Sequence, residues 1–151
     1  MSQSLSKLYV HLVFHIKTNS CIIRNQDQYA LYAYIASIIK ERESMPIIVN
    51  GVKDHVHILF ILSKNIAISD LVKDIKRHSS RWIKGLDPFY SQFNWQRGYG
   101  AFSVSSSLHD KTRNYILNQE KHHYKMTFRE EYLLFLKEYK IDYKEEYLWN
   151  D

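Results

Sequence analysis

Residues Gly51–Phe60 have the sequence GVKDHVHILF, which is typical of a turn followed by an apolar strand. Side chains on a β-strand alternate between the two faces of a sheet, so His55 and His57 project from one face, roughly 7 Å apart along the strand. The opposite face carries four apolar side chains, Val56, Ile58, Phe60 and Leu62. They must be buried, most simply under helices, which leaves the two histidines on a working face where they can share one metal ion.

A second stretch, residues 114–123, has the sequence NYILNQEKHH. A His-x-His pair alone is a weak signal, because histidines without a metal are commoner than metal ligands. On a helix, however, residues four apart share a face, so Tyr115 and Gln119 project together and pair a phenol with an amide oxygen. His122 can reach the same face and is a candidate auxiliary metal ligand or phosphate donor.

The composition predicts one domain, residues 1–151, because the chain has 151 residues of which 45% are apolar. The single cysteine, Cys21, excludes an internal disulfide and a zinc site built from cysteines. The chain has no run of about 18 apolar residues, and its first residues are polar. We therefore expect a cytoplasmic protein without membrane contact.

The charge indicates an anionic partner, since the net charge is +5 and the pI is near 9.2. Nucleic acid fits that charge. Neither G-x-x-x-x-G-K-[ST] nor G-x-G-x-x-G occurs in the sequence, so no loop for a nucleoside triphosphate is predicted. Any chemistry on phosphates is expected to run without a nucleotide cofactor.

Periodicity predicts four strands, at 8–16, 46–52, 55–62 and 101–104, and four helices, beginning at Asn25, Ser69, Ser107 and Phe128. Ser107 and Asp110 resemble a capping box at the start of the helix that carries Tyr115. The order of elements indicates an α+β protein with a ferredoxin-like (RRM-like) split βαβ antiparallel sheet. The helices lie on one face, a C-terminal helix bears the tyrosine, and the second face is open for a site. His11 and His15, on the first strand, are interpreted as buried or surface histidines without a metal.

The helix after Ser69 has a basic face that suits phosphate contacts. Its side chains, together with one arginine farther along the chain, are Lys73, Lys76, Arg77, Arg81 and Arg97. A charged helix face that merely faces solvent is an equally good interpretation. Unpaired bases could stack on aromatic side chains of the following loop, namely Phe93, Trp95 or Tyr99.

Four stretches carry a family resemblance: YVHLVF at 9–14, DHVH at 54–57, WQRGYGAFSV at 95–104 and YILNQEKHH at 115–123. In this order the chain resembles the single-tyrosine HUH transposases of small bacterial and archaeal insertion sequences, from about Leu8 to the YLW ending at 147–149. The resemblance implies a homodimer that nicks and rejoins single-stranded DNA at hairpin-marked element ends through a covalent 5′-phosphotyrosine. It implies that His55, His57 and Gln119 are metal ligands and that Tyr115 is the nucleophile.

The metal is expected to be Mg²⁺ or Mn²⁺, with tighter binding of Mn²⁺ because Mn²⁺ accepts imidazole more readily. Two other hypotheses stay open. A non-catalytic single-strand nucleic-acid binding module could use the same sheet, although the pair of exposed aromatic residues expected for base stacking is replaced by histidines. A host-recruited HUH nuclease that does not act in transposition would have the same chemistry with another substrate.

Overall fold

The strand that carries the two histidines lies inside a four-stranded antiparallel sheet. The computed structural model describes residues 2–18, 20–123 and 125–149; Met1, Asn19, Tyr124, Asn150 and Asp151 lie outside the described residues. The strands are β1 (Leu8–His15), β2 (Met45–Gly51), β3 (His55–Leu62) and β4 (Gly100–Val104). Their order in the sheet is β2-β3-β1-β4, with β3 paired to both β1 and β2. This is the predicted ferredoxin-like topology.

The helices follow the predicted order, with two short helices added at 88–90 and 145–148. They are α1 (Asn25–Glu41), α2 (Ile68–Leu86), α3 (His109–Leu117), α4 (Gln119–His122), α5 (Phe128–Glu138) and α6 (Glu145–Leu148). A short 3-10 helix, Pro88–Tyr90, follows α2. The predicted helix over Tyr115 and His122 is divided into α3 and α4 at Asn118. No helix within the described ranges is long and apolar enough to cross a membrane.

Alternation along the central strands creates the main core. Val56, Ile58 and Phe60 of β3 are fully buried against α1 and α2, and Leu12 and Phe14 of β1 lie beside them. The matching helical side chains include Leu31, Ile35, Ile39, Leu71, Ile75 and Ile83. Each fully buried aliphatic or aromatic side chain contributes about 1.5–3 kcal/mol. This layer therefore fixes β3 and leaves its histidines on the other face.

That other face is covered, contrary to the expectation of an open face. A second core cluster joins the sheet, through Val13 and Phe102, to Phe128, Tyr132 and Leu136 of α5. These three residues of α5 are spaced four apart, so they form one apolar stripe that must also be buried. The histidine face also carries apolar side chains, Val13 and Phe102 among them, and α5 lies across it.

The turn before β3 requires a glycine. A Cβ atom at Gly51 would lie 2.2 Å from the carbonyl oxygen of His55, which no side chain tolerates. The Val52 N–H donates to the same carbonyl at 3.2 Å and closes the turn. The first histidine is therefore fixed by a tight backbone contact as well as by the strand.

Two details of the sequence interpretation are wrong. The capping box is absent: α3 begins after Leu108, without a side-chain cap among the described residues, and the Ser107 hydroxyl bonds to that of Ser105 instead. Phe93 and Trp95 do not offer surfaces for bases, because both are buried in the main core. The Trp95 indole donates to Ser79 at 2.9 Å, so its polar group is also used internally.

Candidate active site

Strand β3 brings both histidines of the motif into the interior. His55 and His57 are fully buried, under α4 and α5. His55 Nδ1 donates to Oδ1 of Asp54 at 2.7 Å, which fixes the ring so that Nε2 faces the centre of the site. Burial alone would lower the pKa of His55, but its bonds to Asp54 and Glu131 raise it. A carboxylate behind a histidine in this way is the usual support of a metal ligand.

A third histidine, His11 of β1, supports the second one. His11 is buried, and its Nε2 shares a hydrogen bond of 2.8 Å with His57 Nδ1. Burial lowers the pKa of His57 to about 4 and also lowers the pKa of His11, so both rings are neutral. The sequence interpretation of His11 as a buried histidine fits this position, but the sequence does not indicate its contact with His57. The antiparallel pairing of β1 with β3, which places Val13 opposite His57, brings the two rings together.

Helices α3 and α4 deliver Tyr115 and Gln119 to the histidines. The helical path continues across the break, since the Asn118 N–H still bonds to the Asn114 carbonyl at 3.2 Å. Gln119 is fully buried, and its Oε1 accepts from His55 Nε2 at 3.2 Å. The structure thus brings together His55 and His57, which share a strand face, with Tyr115 and Gln119, which share a helix face.

Strand β2 holds the end of α3 in place. The Asn50 side-chain amide donates to the carbonyl oxygens of Ile116 at 2.9 Å and Leu117 at 3.2 Å. These carbonyls belong to the last turn of the helix, where carbonyl groups need partners from outside the regular helical pattern. The bond to β2 therefore fixes Tyr115, one residue earlier, relative to the sheet.

Glu131 of α5 lies at the centre of the site and was not predicted. Its carboxylate is buried. Oε1 accepts from Nε2 of His57 at 2.9 Å and from Nε2 of His123 at 3.1 Å. His55 Nε2 lies 3.5 Å from the same oxygen. One carboxylate oxygen is therefore surrounded by three imidazoles.

The other carboxylate oxygen of Glu131 contacts the candidate nucleophile. Oε2 accepts from the Tyr115 hydroxyl and from Gln119 Nε2, the latter at 3.1 Å. Burial acts to raise the pKa of Glu131, but the hydrogen bonds from His123, His55 and His57 outweigh it and hold the pKa far below its ordinary value. Burial and the bond to Glu131 raise the pKa of Tyr115. In this arrangement the carboxylate is charged and the phenol keeps its proton.

A divalent metal ion fits these donors. Nitrogen and oxygen atoms of His55, His57, His123 and Glu131 all lie within 4.8 Å of one another. Donors bound to one ion at about 2.0–2.2 Å are separated by no more than about 4.4 Å, so a small contraction suffices. Imidazoles together with a carboxylate suit Mn²⁺ better than Mg²⁺.

His122, the predicted auxiliary residue, is not a member of this group. Its ring lies against the ring of Tyr115, with centroids 4.4 Å apart, and the next residue, His123, faces the cluster instead. The one-residue difference follows from the break at Asn118, which starts a new helical turn before the two histidines. A contact of His122 with a phosphate near Tyr115 stays a prediction.

The predicted phosphate contacts lie on the other side of the sheet. Lys73, Arg77 and Arg81 are exposed on α2, which packs against the face opposite the histidines, and Arg97 is exposed in the loop before β4. A groove of about 410 Å³ runs between this loop and α2, lined by Lys73, Arg77, Arg97 and Tyr99 among others. The groove is basic and carries one exposed aromatic ring.

Lys76 differs from the rest of that set. Its ammonium donates to the carbonyl oxygens of Gln96 at 2.8 Å, Arg97 at 3.2 Å and Gly98 at 2.6 Å. All three hydrogens of the ammonium are thus engaged with the loop. In this structure Lys76 holds the loop that presents Arg97 and Tyr99.

A larger cleft opens beside the site. It has a volume of about 1080 Å³ and lies between α1, the turn before β3 and the segment joining α4 to α5. Asp54 and His123 of the site border it, and the exposed Tyr29, Lys53 and Lys125 form its outer wall. The cleft therefore offers an aromatic ring and two lysines next to the candidate metal centre, together with the carboxylates of Asp54, Glu120 and Glu130.

Comparison with known proteins assigns the family. Residues 4–119 match the family model described as IS200-like transposase. The chain belongs to this family. The resemblance to transposases of small insertion sequences is thereby confirmed, and membership implies an enzyme that cleaves DNA. His123 and Glu131 lie beyond the matched residues.

Two solved structures share the fold of this transposase. A protein from Deinococcus radiodurans R1 that is assigned as a transposase is 22% identical, with a TM-score of 0.60 over 79% of this chain and 98% of that chain. A REP-associated tyrosine transposase bound to a REP hairpin is 11% identical, with a TM-score of 0.55 over 83% of this chain and 74% of that chain. At these identities the likeness concerns the fold. No curated protein is significantly similar in sequence.

The bond between His11 and His57 generates a prediction. His11→Leu removes the partner of His57 Nδ1, so the ring of His57 is no longer held in the orientation that a metal on Nε2 needs. We expect Mn²⁺ affinity, measured by isothermal titration calorimetry, to fall about 10- to 100-fold. His78→Leu, on the other side of the sheet, is the control and should bind Mn²⁺ like the wild type. Equal affinity of both variants would show that His11 does not support the site.

Proposed function

We propose that this protein is a metal-dependent transposase that nicks and rejoins single-stranded DNA through a covalent bond to Tyr115. The observation that carries the proposal is the meeting of Tyr115 with the two histidines of β3, in one buried cluster joined by Glu131. A phenol beside a candidate metal centre is the arrangement that nucleophilic attack on a phosphodiester needs. Family membership supports the same chemistry.

The first step forms a bond between the Tyr115 oxygen and the scissile phosphorus. The bond from phosphorus to the 3′-oxygen breaks, the phenol proton is lost, and the departing 3′-oxygen takes up a proton as a hydroxyl. The product is a 5′-phosphotyrosine with a free 3′-hydroxyl on the other strand end. The unperturbed phenol has a pKa near 10, and its pKa is raised further here, so Tyr115 requires activation.

Rejoining reverses these bonds. The 3′-hydroxyl of another strand attacks the phosphotyrosine, the bond from phosphorus to the Tyr115 oxygen breaks, and the phenol regains a proton. The phosphodiester energy is kept in the covalent intermediate. Strand transfer therefore needs no nucleotide cofactor, in agreement with the lack of a phosphate-binding glycine motif in the sequence.

His55, His57 and Gln119 are the proposed metal ligands, and their donor atoms already face one another in the structure. A bound Mg²⁺ or Mn²⁺ would polarise the scissile phosphate and stabilise the negative charge that develops during attack. Asp54 and His11 hold the two imidazoles in position for this role.

The proposed partner is single-stranded DNA with hairpins at the element ends. The structural neighbour bound to a REP hairpin supports this substrate class. The cleft bordered by Asp54 and His123 suits the unpaired nucleotides next to the scissile phosphate, with Tyr29 available for stacking. The basic groove on α2, on the far side of the sheet, suits a second segment such as the hairpin stem.

A homodimer is also part of the proposal, because the family resemblance implies one. The arrangement of a single chain supports a dimer in which each subunit carries a complete site, since Tyr115 and the histidines of the same chain meet. A binding module without catalysis is the competing function, and a host nuclease of the same class would differ only in its substrate.

The nucleophile assignment predicts the outcome for Tyr115→Phe. This variant keeps the ring but lacks the attacking oxygen, so DNA binding should be retained while strand cleavage falls below detection. The measurement is a denaturing gel of protein incubated with single-stranded oligonucleotides from both flanks of its own gene, with Mn²⁺ or with chelator. A metal-dependent band of protein joined to DNA is expected for the wild type alone.

Tyr139→Phe is the matched control, because the Tyr139 hydroxyl lies outside the site and donates to the Ser103 carbonyl. It should form the adduct like the wild type. Cleavage by Tyr115→Phe would assign the nucleophile elsewhere. Binding of the flanks by the wild type without any adduct, with or without metal, would favour the non-catalytic binding module.

The basic face of α2 predicts a change in salt dependence. Reversing Arg77 and Arg81 to glutamate removes two phosphate contacts, so binding of a hairpin oligonucleotide should weaken and the slope of log K against log salt should flatten by about 1.8. Fluorescence anisotropy at several salt concentrations measures this slope. The same reversal at Lys137 and Lys140, on the end of α5, is the control for net charge. If both double variants behave alike, the α2 face has no specific role.

A further inference from the structure

We propose that Glu131 of α5 is a further metal ligand, whose second oxygen positions the Tyr115 hydroxyl at the metal centre. The inference rests on the proposed metal-dependent function and extends it. It assigns a role to a residue beyond the family match, which ends at residue 119. The bridging carboxylate would couple metal binding to the placement of the nucleophile.

Oε1 of Glu131 lies close to both histidines of the motif. This oxygen lies 2.9 Å from His57 Nε2 and 3.5 Å from His55 Nε2, the atoms through which both histidines of the motif would bind a metal. An ion bound by both nitrogens at about 2.1 Å therefore lies within coordination distance of Oε1 after small movements. His123 Nε2, 3.1 Å from the same oxygen, completes the ring of donors.

The two carboxylate oxygens of Glu131 contact different groups. Among the residues that the structure describes, Oε1 contacts imidazoles, whereas Oε2 accepts from Tyr115 and Gln119. A carboxylate can bind a metal through one oxygen and accept hydrogen bonds through the other. Both functions are therefore open to Glu131 without any change in its side-chain direction.

Helix α5 does not need Glu131 for packing. Phe128, Tyr132 and Leu136 already bury the helix against the sheet. Glu131 occupies the same stripe, where an apolar side chain would avoid the cost of burying a charge, which is several kcal/mol when unpaired. A buried carboxylate at the meeting point of three imidazoles and a phenol is what a metal-binding role requires.

The test is calorimetric titration of the full chain with Mn²⁺, comparing the wild type with Glu131→Gln. The amide keeps the size of the side chain but lacks the charge, so we expect affinity to fall at least about tenfold. Glu138→Gln is the matched control, since Glu138 is exposed on the same helix two turns later. It should bind Mn²⁺ like the wild type. Adduct formation at saturating Mn²⁺ should also be slower for Glu131→Gln, because the single amide oxygen cannot both face the metal and accept from Tyr115.

Unchanged or tighter Mn²⁺ binding by Glu131→Gln would overturn the inference, and tighter binding would show that the carboxylate blocks the site. His57→Ala in the same titration distinguishes failure of the Glu131 assignment from failure of the proposed metal centre. Loss of binding in His57→Ala alone refutes the role of Glu131 and keeps the metal centre, whereas unchanged binding in both refutes the metal centre itself. If circular dichroism shows Glu131→Gln to be unfolded, Glu131→Asp, one methylene shorter, takes its place with the same expected loss.

Discussion

Side chains along β3 alternate between an apolar core and the histidine site, and this alternation determines how the other elements pack. Residues 56, 58 and 60 are fully buried under α1 and α2, and this burial determines which side chains of β3 face the core. A shift of one residue would move the histidines into the apolar core and the apolar row into the site. The contact of Gly51 with the His55 carbonyl and the pairing with β1 fix the same register from both ends. The geometry of the site is thus a consequence of the main core.

The packing of the histidine face also depends on electrostatics, through the pairing of one buried carboxylate. Glu131 is a buried charge, and such a charge is tolerated only when its oxygens are paired. Four donors from three parts of the chain supply this pairing: His57 from β3, His123 from the segment after α4, and Tyr115 and Gln119 from α3 and α4. The carboxylate therefore holds α3, α4 and α5 over the sheet at one point. The same point is where the chemistry is proposed, so the stability of this face and its function rest on shared contacts.

The sequence predicts the parts of the site that depend on local spacing. His55 and His57 follow from the period of a strand, and Tyr115 and Gln119 from the period of a helix. Both periods operate over a few residues, and both pairs were placed on the correct face. The topology followed in the same way from the order of the elements, because the split βαβ arrangement is one of few that this order permits.

The parts that were missed depend on long-range contacts. His11 meets His57 across 46 residues of sequence, and Glu131 meets it across 74. A glutamate on an amphipathic helix is ordinarily exposed. One signal was present: Glu131 falls between Phe128 and Tyr132 on the apolar stripe of α5, where a charge is out of place unless it has a buried partner. The sequence also does not predict that α5 covers the histidine face, because the packing of α5 on the sheet is a long-range contact.

The central claim is that one chain assembles the complete site, with its own Tyr115 held at its own histidines. The most direct measurement is a mixture of two inactive variants, Tyr115→Phe and His57→Ala, co-expressed with different tags, purified together and tested for the covalent DNA adduct. The structure predicts no adduct, because neither chain contains both the phenol and the intact metal centre. Recovery of the adduct on the His57→Ala chain would contradict the claim, since its tyrosine would then act at the metal centre of a partner.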